Sequence, residues 1–112
     1  MRASRIAEFP DRPNPHQVSA KIIYDHEEAQ CVYILLKPGE SLKRHVTPVE
    51  VFFYVLEGKG QVEIGDEVVD VERDTLIESP ARIPHRLMNT GGADFRFLVV
   101  KAPKPKETTK LL

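Results

Sequence analysis

The chain has 112 residues, 16 Lys+Arg against 17 Asp+Glu, and 41% hydrophobic residues, which suits one compact domain and excludes a disordered chain. Its net charge of -1 removes the electrostatic reason to expect nucleic acid or an anionic membrane surface, and no apolar stretch approaches the roughly 20 residues of a membrane span. Cys31 is the single cysteine and cannot form an internal disulfide, and the first residues lead into Glu8 and Pro10 rather than an apolar signal core, so a reducing, cytoplasmic setting is expected.

Residues 1–17 hold Pro10, Pro13 and Pro15 among polar residues, with neither a helical nor a strand period. They are expected to form an extended arm, either loose or laid along a sheet edge or a second subunit. From Val18 onward, short β-branched and aromatic runs are separated by turn residues at the spacing of an all-β sandwich or barrel. Ser19 to Tyr24 and Gln30 to Leu36 are expected to form a hairpin with Asp25-His26-Glu27-Glu28-Ala29 at its wet tip. Lys37-Pro38-Gly39-Glu40 then turns, and Leu42 to Thr47 is the next strand. Pro48 has no ladder donor and marks a bulge, bend or strand start before the strongly apolar Val51 to Leu56. Phe52 and Phe53 alternate sides there, one lining the barrel and the other packing outside or at a subunit contact. Gln61 to Ile64 and Glu67 to Val71 form a tight hairpin about Gly65-Asp66. Asp74 to Glu78, His85 to Asn89 and Phe95 to Val100 complete the strands. The expected organisation is an arm over 1–17, one barrel over 18–101 and a flexible tail over 102–112, whose lysines, counted from Lys101, read as solubilising.

Of the four histidines, His16 in the proline arm and His26 at the hairpin tip read as solvated surface imidazoles. His45 and His85 sit in strands with apolar neighbours, and inward side chains from different strands of a small closed sheet can share one pocket. The segments around them, Gly39 to Thr47 running into Pro48 to Gly58, and Asp74 to Asn89, resemble the two characteristic motifs of the cupin superfamily, small β-barrels of jelly-roll type. With the hairpin between them they cover roughly half the chain.

The resemblance implies an all-β, cupin-like jelly-roll barrel of one domain. In metal-binding cupins the first motif supplies His-x-His and then a glutamate, and the second supplies another histidine. His45 and His85 match the first and last of these, while Thr47 stands at the second histidine and Val51 at the glutamate. Glu50 is one residue early, so it faces the barrel only if a bulge at Pro48 absorbs the offset. Two readings follow for the site. In one, His45, His85 and Glu50 hold a divalent transition metal (Fe, Mn, Ni, Cu or Zn) of an enzyme acting on small organic acids or sugars. In the other, the histidines are interior polar residues that hydrogen-bond a water, Thr47 or a ligand, in a non-catalytic, metal-free binding or sensory module. Thr47, Tyr54 at a pocket mouth and Arg82 beside His85 are the candidate ligand contacts. Both readings give a barrel that takes a small polar molecule inside, and family habit adds a homodimer.

Overall fold

The alternation of apolar and polar residues becomes two antiparallel five-stranded sheets folded face to face. The computed structural model describes residues 1–107 and 110–112. Its strands are β1 (Ser19–Asp25), β2 (Gln30–Leu36), β3 (His45–Val46), β4 (Val51–Glu57), β5 (Lys59–Ile64), β6 (Glu67–Glu72), β7 (Leu76–Ser79), β8 (His85–Met88), β9 (Phe95–Lys101) and β10 (Lys110–Leu111). One sheet has the order β1-β2-β9-β4-β7, the other β10-β3-β8-β5-β6. Among the described residues, no helix is long and apolar enough to cross a membrane.

The inward face of each strand follows from its period of two. On β4, Val51, Phe53 and Val55 are buried while Phe52 is exposed, and on β9 Phe95, Phe97 and Val99 are buried. Phe95, Phe97, Leu36, Leu87, Val55 and Val62 are fully buried in the core, where the rings of Phe95 and Phe97 lie 5.0 Å apart. Residues opposite each other in an antiparallel pair share a face. The β4–β9 register sets Phe53 against Val99 and Val55 against Phe97, so the two central strands present one continuous apolar surface. The β5–β6 hairpin closes through Gly65-Asp66 between paired Ile64 and Glu67, with Gly65 at φ +56°. At Gly58 (φ +88°), an added Cβ would run into the Asp94 carbonyl oxygen, so only glycine fits that corner.

One strand expectation needs correction, and contacts of the two terminal segments can be added. The strand expected over Leu42 to Thr47 shrinks to His45–Val46, because both polar groups of the Lys43 backbone bond histidine rings, its N–H to His16 and its C=O to His45. The arm is not loose: the Arg12 N–H donates to the Ala20 C=O (2.8 Å) and the Asn14 amide to the Val18 C=O (2.7 Å), tying it to its own barrel. The tail expected to be flexible includes Thr108 and Thr109, which lie outside the described residues. Elsewhere in it, Lys110–Leu111 pairs with β3, and Lys104 forms a 2.7 Å ion pair with Asp25.

Candidate functional site

The interior also holds a group of buried polar side chains, His45, Thr47, Ser79 and His85. His45 on β3 and His85 on β8 are paired directly across the two strands, which puts both imidazoles on the inner face, with ring centroids 4.5 Å apart. His16 reaches in from the arm and sets its ring 4.8 Å from His45. The three rings form a row, flanked by Phe53 at 5.2 Å from His85.

Two of the three tautomers follow from the partners. A carbonyl oxygen only accepts and a backbone N–H only donates. His45 Nδ1 lies 2.7 Å from the Lys43 C=O and therefore carries the proton, leaving the Nε2 lone pair. His16 Nδ1 accepts the Lys43 N–H at 2.8 Å, so in the neutral ring the proton sits on Nε2. A single residue of backbone thus fixes one imidazole as an acceptor and its neighbour as a donor. His85 is engaged on both sides, by Ser79 Oγ at Nδ1 (2.7 Å) and Thr47 Oγ1 at Nε2 (3.3 Å). Burial, reinforced by the charge of neighbouring His45, holds His16 at about 4 and His85 at about 3. His45 is also lowered, chiefly by burial. His16 and His85 are therefore neutral near pH 7, ready to share hydrogen bonds rather than to act as cations.

His16 and His45 line a cavity of about 360 Å³, toward the lower end of the ~300–1,000 Å³ typical of small-molecule sites. Its apolar wall includes Ile22, Val32, Ile34, Leu42 and Val99, and Arg12 to His16 of the arm form another side. Lys101 also lines it. The inward period of Phe95, Phe97 and Val99 runs one step further and carries this lysine inside, so it does not belong to the tail whose lysines read as solubilising. Burial holds its ammonium below the ordinary lysine value. His16, read from sequence as a surface imidazole, is likewise part of the cavity wall. His26 is exposed at the hairpin tip, stacked 4.3 Å from Tyr24.

The remaining sequence candidates separate. Thr47 is buried beside His85. Tyr54 lies on the outer side of β4, its hydroxyl donating to Asp74 (3.0 Å). Arg82 is exposed, donates its N–H to the Thr47 C=O (2.9 Å) and borders a separate surface groove with Pro48 and Val49. Its φ of +65° lies in the left-handed region that favours glycine. Glu50 is exposed and accepts the Ala81 N–H (3.1 Å), while Val51 takes the inward place. A bulge that turns Glu50 inward does not occur.

This donor set does not fit a resident divalent cation. Such a site needs about three or more lone-pair donors converging on one point. His85 has both nitrogens bonded to hydroxyls, His16 Nδ1 is used by a backbone N–H, and Glu50 is turned outward onto the Ala81 N–H. Among the described residues, no group of three His, Cys, Asp or Glu converges.

The family model described as the cupin domain matches residues 32–101. CurC of Streptomyces cyaneus, described as a polyketide synthase, is 33% identical over 75 residues, 63% of this chain and 49% of CurC. The chain spans about half the length of the curated relatives it matches, 49% and 57% of them. Among solved structures, TT1209 of Thermus thermophilus has a TM-score of 0.80 and 27% identity, covering 94% of this chain and 100% of that one. The polyketide cyclase RemF of Streptomyces resistomycificus has a TM-score of 0.85 and 19% identity, covering 100% of this chain and 85% of RemF.

Proposed function

Because the chain belongs to the cupin family, we propose that it is a small-molecule-binding cupin whose ligand rests directly on side chains of the barrel interior, without a resident metal. The observation that carries this reading is the pairing of a roughly 360 Å³ cavity with two imidazoles of fixed and opposite hydrogen-bonding role. His16 Nε2–H donates to a ligand oxygen and His45 Nε2 accepts from a ligand hydroxyl or acid proton. His85, held between Ser79 and Thr47, orients the row from behind. A neutral imidazole that accepts a ligand proton is also the usual form of a general base, so the same contact serves proton transfer where the ligand carries an acidic hydrogen. The description of RemF as a polyketide cyclase is compatible with such a ligand.

The test is amide chemical-shift mapping of the 15N-labelled protein with a set of small hydroxylated and carbonyl compounds. Shifts concentrated at Ile34, Leu42, His45 and Val99 are expected. Shifts confined to the outer faces of the sheets, with the interior silent, would overturn the reading.

Pairing with a second copy is part of the same proposal. The outer face of the first sheet carries Phe52 and Leu76, 37% and 55% exposed, beside the half-buried Tyr54, Leu98 and Val100, an apolar row of the kind that marks an interface. Sedimentation equilibrium should give a dimer that Phe52→Glu with Leu76→Glu dissociates. A wild-type monomer would contradict it.

A further inference from the structure

The row of imidazoles is accompanied by a stronger base that the ligand-binding reading alone does not use. Lys101 ends β9 on its inner face, lines the same cavity as His16 and His45, and makes no ion pair with any of the described residues. The other lysine on the cavity wall, Lys104, is already neutralised by Asp25 at 2.7 Å. The carboxylate on the wall, Glu107, is exposed and belongs to the segment after β9. A half-buried ammonium without a counter-ion is costly to desolvate, and an anion delivered by a ligand offsets that cost with a charge-assisted hydrogen bond. The cavity wall also includes Ile22, Val32, Ile34, Leu42 and Val99, which suit an apolar body rather than a polyhydroxylated one.

We propose that the cavity selects small organic carboxylates with a compact apolar body, and that Lys101 is the residue that determines this selectivity. The carboxylate pairs with the Lys101 ammonium and accepts from His16 Nε2–H, while the hydrocarbon part lies against the β2 and β9 side chains. This assignment rests on the reading of the interior as a ligand site and adds its ligand class.

Two probe pairs separate charge from shape: benzoate against benzamide, and butyrate against butyramide. Each is titrated into 15N-labelled wild-type, Lys101→Met and Lys101→Arg proteins, and affinity is read from the cavity amide shifts. Wild-type protein should bind the carboxylates more tightly than the amides. Lys101→Met should weaken the carboxylates on the order of 10- to 100-fold and leave the amides unchanged, and Lys101→Arg should restore most of the loss. Equal binding of acid and amide in the wild type would overturn the anion assignment while leaving the cavity a ligand site. Equal loss of both in Lys101→Met would make the lysine a structural element and also overturn it. Absence of cavity shifts with all four probes would overturn the assignment together with the reading beneath it.

Discussion

Lowering the pH from 7 to about 4.5 should destabilise the fold by an amount set by the buried imidazoles. His85 is 2% exposed, and its folded pKa is held at about 3 against an ordinary 6.5. Below pH 6.5 the unfolded chain takes up a proton that the folded chain refuses, so the stability present above 6.5 is lost as pH falls toward 3. Each pH unit costs about 1.4 kcal/mol per such group, hence about 2.5 kcal/mol for His85 by pH 4.5. His16, at about 4, acts in the same direction over most of that window. It is only half-buried, and solvent screening reduces its share to about 1 kcal/mol. The neighbouring His45, lowered by burial and by Lys101, adds in the same sense. A loss of about 3–4 kcal/mol is a large part of the ~5–15 kcal/mol typical of a domain. Urea unfolding followed by circular dichroism at both pH values measures it, with His85→Gln and His16→Gln as controls. Gln at position 85 can still meet Ser79 and Thr47 but cannot titrate, so the slope with pH should shrink even if absolute stability falls. Stability that is flat between the two pH values, or an unchanged slope in the double variant, would refute the reasoning.

Three further outcomes follow from particular contacts. Gly60→Ala should cost about 3 kcal/mol, because the new Cβ would sit 2.5 Å from both the Met88 carbonyl oxygen and the Phe95 ring; urea unfolding reads it, and a neutral substitution would mean that β5 packs elsewhere. Asn89→Ala should cost about 2–3 kcal/mol, since its amide donates to the Leu36 and Ala93 carbonyls (2.9 and 2.8 Å) and its oxygen accepts the Gly91 N–H (3.0 Å). Thr47→His combined with Val51→Glu places two new donors at buried, inward positions, the first beside His85, and should create a divalent-metal affinity detectable by calorimetry with Zn²⁺. No gain in that variant would mean the interior geometry, rather than the residue types, prevents metal binding.

The fold was legible because its signals are local. Alternation set Phe52 and Phe53 on opposite sides of β4 without choosing between them, and the structure turns Phe53 inward; Gly65-Asp66 named its own turn. His45 and His85 were brought together by the cupin resemblance, and the cross-strand register between β3 and β8 gives the physical reason. What escaped depends on contacts remote in sequence. Nothing in the polar, proline-rich surroundings of His16 announces that its ring will accept a backbone N–H 27 positions away. The shortening of β3 has the same cause, as the Lys43 peptide is diverted to two histidines. The pairing of Lys110–Leu111 with β3 is equally non-local. Lys101 was within reach of the sequence: one more step of the Phe95, Phe97, Val99 period reaches it, but a lysine followed by a proline-rich tail looks like the start of that tail. Glu50 fell to the simplest rule, that neighbouring residues on a strand face opposite ways.

The most direct test of direct, metal-free ligand contact is elemental analysis of the untagged protein after anaerobic loading with Fe²⁺, Mn²⁺, Ni²⁺, Cu²⁺ and Zn²⁺ in turn and removal of free ion, with His45→Ala and His85→Ala alongside. Metal well below one equivalent, and no different in the two variants, is the expected result. A stoichiometric ion lost in both variants would contradict it.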